Sequence, residues 1–503
     1  MELFAFILYF VAMLAIGLYF FFATKSGGEK EYFLGGRQMG PWVTAMSAQA
    51  SDMSAWLLMG LPGSIMAFGF GQAWIGIGLA IGTSLNWILV AKRLRRFSEA
   101  ADDAITMPQY LSNRFKTANP ALKIICAVVF LISFTIYVAS GFSAGATVFH
   151  QLIPQLSLKT EMVIFAAILI AYTFLGGFKA VCWTDFFQGM LMLVALLAVP
   201  IVVIFLKDTD PSIMNKVVTN TETGEAYKFI PSFFTASPKE IVSGLAWGLG
   251  YFGMPHILVR FMSIEKPEMV KKSSVVAIVW VLLALSAAIG ISYFGRIINI
   301  NFKDTEEIFS TYILENGLQE TVFIQLARTL FPAFIAGLLL AAIIAASMST
   351  ADSQLLVASS SFTSDIYKPI FRKNASEKEI LRVGRIVVLA VSAIAFFIAS
   401  SKGSGAKAIM SLVSNAWALF GSAFGPVVLL SLFWRRFTHK GAVAGIVGGA
   451  VVDLLWYIYL SASTGIYEII PGFAAGLVLA VVVSLIDEKP SEEICAIYDK
   501  ATK

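Results

Sequence analysis

Between Pro41 and Ala91 the chain carries one charge, Asp52, in about 51 residues. At 1.5 Å per residue this is about 75 Å of helix, enough to cross a hydrocarbon core of about 30 Å twice. Lipid offers the backbone no hydrogen-bond partner, so such a run must fold as helix, with a turn near Gly69 and Gly71. Comparable runs cover Leu3 to Thr24, 124–158, 162–178, 186–206, 241–259, 273–295, 329–364, 386–401, 408–434, 441–466 and 469–486, which makes thirteen predicted spans. The first exceeds a signal-peptide core and lacks a small-residue cleavage site after it, so it is expected to be retained. Composition supports a polytopic, all-α membrane protein: 58% of residues are hydrophobic, 14% charged, and the mean hydropathy is +0.78. The same balance excludes a disordered chain and a nucleic-acid binder. Cys126, Cys182 and Cys495 are too scattered for a disulfide framework, and three histidines leave little scope for metal or haem chemistry.

An odd number of spans puts the termini on opposite sides, and the basic residues then choose the side. With the N-terminus outside, the inside set holds Lys25, Lys30, Arg37, seven residues between Lys92 and Lys123, Lys179, four between Arg260 and Lys272, six between Lys368 and Arg385, Arg435, Arg436, Lys440 and three in the tail. That is 27 of the 37 Lys and Arg residues. The positive-inside rule therefore predicts a cytoplasmic C-terminus. The two long loops, 207–239 and 296–328, then lie outside, and neither is large or apolar enough to be an enzyme domain.

Glycine, proline and small polar residues in mid-span are costly unless they line a cavity. Span two contains Ser47-Ala-Gln-Ala-Ser-Asp-Met-Ser54 followed by Gly60-Leu-Pro-Gly63, and span seven contains Trp247-Gly-Leu-Gly-Tyr-Phe-Gly-Met-Pro-His256. They stand five spans apart and enter from opposite faces, as an inverted five-plus-five repeat requires; close helix packing is the plainer alternative for their glycines. Asp52 lies deep in a span, where an unpartnered charge costs on the order of 2.5 to 3.5 kcal/mol. It reads as serving an ion or substrate, with a helix cap or a salt bridge as the alternative. In span nine, Ser349, Asp352 and Ser353 share one face. Hydroxyls there and freed carbonyls in span two suit a hard cation, although hydroxyls in membrane helices also bond back one turn. Asp185 reads first as a cap for span six, and Asp453 has no assigned function.

These motifs resemble the sodium:solute symporter family. The resemblance rests on Leu34-Gly-Gly-Arg37, Ser47 through Gly63, Phe134-Thr-Ile-Tyr-Val-Ala-Ser-Gly141, Trp247 to Met262, Met348-Ser-Thr350 and Phe420-Gly-Ser-Ala-Phe-Gly-Pro426, and spans nearly the whole chain. It implies the leucine-transporter fold. The implied segments are 1–40 (first span and cytoplasmic loop), 41–207 (first repeat), 208–236 (extracellular loop), 237–434 (second repeat), 435–486 (last two spans) and 487–503 (tail). It also implies a sodium ion held by the carbonyls of Ala50, Met53 and Ala346 and the hydroxyls of Ser349 and Thr350, with Asp52 tuning the site. The implied substrate pocket is lined by Ser54, Trp56, Gly60, Tyr137, Trp247, Tyr251 and Pro255. Arg37 is implied as a gate at the cytoplasmic mouth, and Asp185, Asp352 and Ser353 are the candidate second cation site. The substrate-side residues match family members that carry L-proline, so the expectation is sodium-coupled proline uptake across a bacterial cytoplasmic membrane. Lipid is the expected surroundings, with no cofactor, nucleic acid or obligatory protein partner.

Two other classes fit less well. A membrane enzyme would need a nucleophile with its base or a metal cluster, and His150, His256 and His439 stand on unrelated segments. A sensor would append a signalling domain, whereas only about 17 residues follow Ile486.

Overall fold

The structure, a computed structural model, describes residues 1–23, 28–117, 119–206, 208–302, 305–402 and 406–502. Lys25, counted above among the inside charges, and the repeat boundary at residue 207 lie outside them. The chain is a helical bundle. In order it comprises α1 (Glu2–Ala23), α2 (Pro41–Met53), α3 (Gly60–Phe68), α4 (Ala73–Leu85), α5 (Lys92–Ala100), α6 (Ala121–Leu152) and α7 (Leu158–Leu206). There follow α8 (Pro238–Ala246), α9 (Pro255–Ser263), α10 (Val270–Ile297), α11 (Ala333–Phe362), α12 (Glu377–Lys402), α13 (Ala406–Phe433), α14 (His439–Tyr459) and α15 (Ile469–Ile486), with shorter helices between some of them.

Among the described residues ten helices are long and apolar enough to cross a membrane, eleven with the bent pair of span seven. Spans two and five, which complete the predicted thirteen, are helical but do not stand as uninterrupted apolar helices. Span two is divided into α2 and α3, of 13 and 9 residues. Span five runs into span six within α7, the join marked by Gly177 at φ 60° and ψ −178°, a backbone that a side chain would strain. The polar stretch 179–185 is therefore helix and not the predicted loop. Asp185 sits inside α7, past the Gly177 join, so it does not cap span six as expected; its Oδ2 accepts from Ser47 and Arg260 instead.

The described parts of the two long segments, 208–239 and 296–302 with 305–328, cover one face. A short antiparallel pair, Val218–Thr219 with Ala226–Tyr227, lies in the first, and helices Phe309–Glu315 and Val322–Leu330 lie in the second. Gly69, at φ 93°, ends α3 and bridges to Ile230, so the turn predicted there is held by the first segment. Two helices are deeply enclosed: the apolar window of α11 is 78% buried and that of α13 83%, against 28% for α1 and for α15. A helix that is apolar all round is buried only if other helices surround it. Here α1, α6 and α7 all pack on α11, which places its polar residues at the centre of the molecule.

Candidate ion and substrate site

The two interrupted helices meet at their breaks. Ser54 takes φ 47° and ψ −175°, a conformation that costs a residue with a side chain about 1 to 3 kcal/mol, and it ends α2 at Met53. The chain makes a short turn over Ala55–Leu57 before α3 begins. In span seven the chain bends by 45° between Phe252 and Pro255. Partners come across the gap: Tyr251 Oη donates to Asp52 Oδ2 at 2.5 Å, and His256 Nε2 donates to the Ser51 carbonyl at 3.1 Å. Asp52, only 3% exposed, has no basic partner and caps no helix among the described residues, and its neighbour is a phenol.

The oxygens implied for sodium converge on the α2 side of this break. Ser349 Oγ of α11 lies 2.8 Å from the Ala50 carbonyl and 3.2 Å from the Ala346 carbonyl, so three of the five implied ligands form one cluster. Thr350 Oγ1 is buried and has no hydrogen-bond partner among the described residues. Met53 is the last residue of α2, one turn beyond Ala50. Neutral carbonyls and hydroxyls of this kind suit a hard monovalent cation, which can be released again because no carboxylate grips it directly.

On the other side of Asp52 lies a small cavity lined by aromatic rings. Ser54, Trp56, Tyr137, Trp247 and Tyr251 line it as the resemblance implied. Leu79, Val413 and Trp417 line it too, and no sequence motif had singled these out. Gly60 and Pro255 are not among its lining residues: a Cβ on Gly60 would fall 2.6 Å from Trp56 Cδ1, and Pro255 opens α9. The cavity, about 10 Å³, has room for about one water, so the rings are closed on one another. Trp56 stacks on Trp247 at 5.7 Å, and Trp247 on Tyr467 at 5.1 Å. Trp56 Nε1 donates to Met410 Sδ, and Met410 in turn lines an outer cavity of about 360 Å³ beside Ser64, Phe68, Glu320 and Glu468. A layer of aromatic side chains therefore separates a wide vestibule from the inner site.

The candidate second cation site does assemble, but around Arg260. Its Nη2 reaches Asp185 Oδ2 at 3.2 Å and Ser353 Oγ, while its Nε donates to Ser47 Oγ at 3.1 Å. Ser47 also donates to Asp185 Oδ2, at 2.6 Å, and Ser353 to Asp352 Oδ1, at 3.1 Å. Arg260 and Asp185 are both wholly buried, so each needs the other, and the positive charge at this position comes from a guanidinium. Sequence reading had counted Arg260 as a loop charge, since it stands just past an apolar run. Asp453 is buried as well and accepts from Ser422 Oγ at 2.8 Å.

Arg37 lies in the turn before α2, with φ 54°, and fastens three segments. It donates to Asp103 Oδ1 at 2.6 Å, Ser98 Oγ at 3.1 Å, the Ala104 carbonyl at 2.8 Å and the Met262 carbonyl at the end of α9. Asp103 also pairs with Lys30. Partial burial acts to raise the Asp103 pKa, but Lys30 and Arg37 outweigh it and hold the carboxyl below the usual range. The knot ties the turn before α2 to 98–104 and to the end of α9, and this is the residue the resemblance implies as a gate.

Residues 32–449 match the model of the sodium:solute symporter family. The chain is 45% identical to the sodium/proline symporter of Haemophilus influenzae, covering 100% of this chain and 98% of the relative. It is 43% identical to the sodium/proline symporter of Escherichia coli (97% and 93% covered) and 42% identical to the high-affinity proline transporter PutP of Bacillus subtilis (96% and 97%). Among solved structures it resembles a Na+-coupled sialic acid symporter in a substrate-bound outward-open state, with TM-score 0.72 and 19% identity over 97% of this chain and 98% of that one. It also resembles Mhp1, a nucleobase-cation-symport-1 family transporter, in a closed conformation, with TM-score 0.55 and 16% identity over 93% and 98%. The fold is thus the leucine-transporter fold that the resemblance implied. With this match over most of its length, joined to the meeting of two broken helices beside the Ala50, Ala346 and Ser349 oxygens, the chain belongs to the sodium:solute symporter family.

Proposed function

We propose that this protein is a secondary active transporter that couples the uptake of L-proline to sodium by alternating access. The observation that carries the reading is the joined break. The oxygens of Ala50, Ala346 and Ser349 cluster on one side of Asp52, Thr350 offers a free hydroxyl, and the aromatic cavity adjoins Asp52 on the other side. Asp52 connects the two sites, so an ion at one stabilises the α2 backbone that forms the wall of the other. Rings of Trp56, Trp247 and Tyr137 suit a compact apolar pyrrolidine. A polyhydroxylated sugar would leave hydroxyls unpaired there at about 1 to 3 kcal/mol each. The full-length relatives named for sodium and proline support the same choice.

The basic residues place the C-terminus in the cytoplasm, the outer vestibule outside and the Arg37 knot inside. Residues 41–207 and 237–434 are the two inverted repeats, each contributing one broken helix to the site. Because Arg260 supplies the charge beside Asp185, Asp352 and Ser353, we assign the coupling ion to the Ala50–Thr350 position. One sodium ion crossing about 100 mV provides roughly 2.3 kcal/mol, and a tenfold gradient adds about 1.4, which together support accumulation on the order of 500-fold.

The test is uptake of radiolabelled proline into proteoliposomes with sodium, potassium and proton gradients imposed one at a time. Sodium alone should drive it, and a proton gradient that drives it fully without sodium would refute the coupling. Glucose, sialate and pantothenate in excess should not compete; inhibition by any of them would overturn the substrate while leaving sodium symport standing.

A further inference from the structure

The second half of α11 carries a polar face that neither the ion site nor the aromatic cavity uses. Thr350, Gln354, Ser361 and Asp365 are spaced four, seven and four residues apart, close to whole helical turns, so they align along one side. The last of them lies in the π-helical continuation of α11, Thr363–Phe371. All four are buried, and Thr350 Oγ1, both amide atoms of Gln354, Ser361 Oγ and Asp365 Oδ1 have no hydrogen-bond partner among the described residues. Ser364 Oγ is in the same condition.

Polar groups on the other sides of the helix are satisfied. Ser353 bonds Asp352 Oδ1, Ser359 the Gly384 carbonyl, Ser360 the Val357 carbonyl and Thr363 the Ser359 carbonyl. Hydroxyls in membrane helices ordinarily bond back one turn, so their failure to do so along one stripe is a property of that stripe. Each such group costs about 1 to 3 kcal/mol when left dry, which a fold tolerates where water or an ion takes its turn there.

The stripe also has two defined ends. It starts at Thr350, in the ion cluster. It finishes at Asp365, whose other oxygen accepts from Thr106 at 2.8 Å, beside a cavity of about 440 Å³ lined by Asp102, Asp103, Gln109, Lys123, Ser364 and Lys368. Asp103 is the residue that Arg37 holds, so the far end opens at the knot closing this face.

We propose that this stripe is a hydrated exit relay for the coupling cation. After leaving Thr350, the ion is met in turn by Gln354 Oε1 and Ser361 Oγ, and Asp365 is the last station before the cytoplasmic cavity. The relay rests on the sodium-symport reading and its orientation. Oxygen from amide, hydroxyl and carboxylate is the ligand chemistry a hard cation requires.

The test uses the full chain with Cys126, Cys182 and Cys495 replaced by Ala and sodium-dependent uptake verified; loss of that dependence in the parent protein refutes the symport reading on which the relay rests. Single S361C, S364C, S359C and S360C changes, all nearly isosteric, are then exposed to a cationic, membrane-impermeant methanethiosulfonate reagent in inside-out and right-side-out vesicles. From the cytoplasmic face, S361C and S364C should react at least about tenfold faster than S359C and S360C, a difference of about 1.4 kcal/mol. With uptake still sodium-dependent, equal rates at the four positions, or reaction of S361C from the outer face alone, overturn the relay. Asp365→Asn supplies a second measurement. Maximal uptake should fall about tenfold while the external sodium concentration for half-saturation stays put, since the loading site is intact. An unchanged maximal rate removes Asp365 from the path.

Discussion

Asp52 meets Tyr251 because two helices that should each have continued are interrupted at the same depth, and the contact is a hydrogen bond rather than an ion pair. A hydrogen bond to a charged group is worth about 1.5 to 3 kcal/mol. Asp52→Asn keeps the shape and removes the charge, so proline uptake at equal membrane level should fall by about tenfold or more. Tyr251→Phe removes only the donor and should cost less; near-normal kinetics in both variants would detach Asp52 from the ion site. Ser349→Ala and Thr350→Ala each delete one oxygen from the cluster near Ala50. Titration of uptake with sodium should show half-saturation moving up about tenfold in each, as expected for loss of about 1.4 kcal/mol of binding. Apparent proline affinity should fall with it, and an unmoved sodium curve in both places the ion elsewhere.

At the scale of elements, the breaks are held by backbone contacts that tolerate no side chain. A Cβ on Gly82 of α4 would fall 2.3 Å from the Gly248 carbonyl in the turn joining α8 to α9. Gly82→Ala should therefore push the break off α4, lowering thermal stability by about 1 to 3 kcal/mol and abolishing uptake. Thermal unfolding in detergent beside a transport assay checks both. The outer segment offers a different test. Glu320 packs over Gly63 of α3, where a Cβ would meet Glu320 Cα at 2.8 Å, and burial pushes its pKa up to about 7. A carboxyl raised by folding contributes stability that is complete below its ordinary pKa and lost as the pH climbs through about 7. The parent protein should thus lose stability between pH 6 and 8, by about 2 °C or more in unfolding temperature. Glu320→Gln should erase that slope and be the more stable of the two at pH 8; a slope that survives assigns it to another group.

The whole molecule has two wide cavities and a small aromatic chamber beside the breaks. On one side Trp56, Trp247 and Tyr467 stack and Met410 accepts from Trp56, and on the other we propose that the polar bonds of Arg37 form the closure. Bonds to a guanidinium are the stronger and more directional closure, so the Arg37 side should open second. Arg37→Ala should bias the protein toward the cytoplasm-open state. The external proline concentration for half-maximal uptake should rise about tenfold, the effect of shifting a two-state balance by about 1.4 kcal/mol. Arg37→Lys should recover only part of this, because an ammonium cannot fork between Asp103 and two carbonyls. Equal external affinity in all three proteins would make Arg37 a mere loop anchor.

The amino-acid sequence by itself determined that the apolar runs are membrane helices, because hydrocarbon leaves them no other folded form; of the thirteen spans it predicts, ten, or eleven with the bent pair, stand as such among the described residues. It also exposed the two breaks and Asp52, since glycine, proline and charge are expensive at mid-membrane and stand out against their surroundings. Residues that work through partners distant in the chain were decided only by the tertiary structure. Arg260 ends an apolar run just as a loop charge would, yet α7 and α11 close around it and bury it completely. Asp185 sits in a stretch that reads as a loop, yet it is helix, and the partners of its Oδ2, Ser47 and Arg260, come from 138 and 75 residues away in the chain. Trp417, Val413 and Leu79 reach the cavity from α13 and α4, but an apolar residue facing lipid and one facing a site look alike along the chain. The hydrophobic pattern that names soluble cores is silent in a bilayer, where both sides of a helix are apolar, so which side faces inward is settled only when the helices pack.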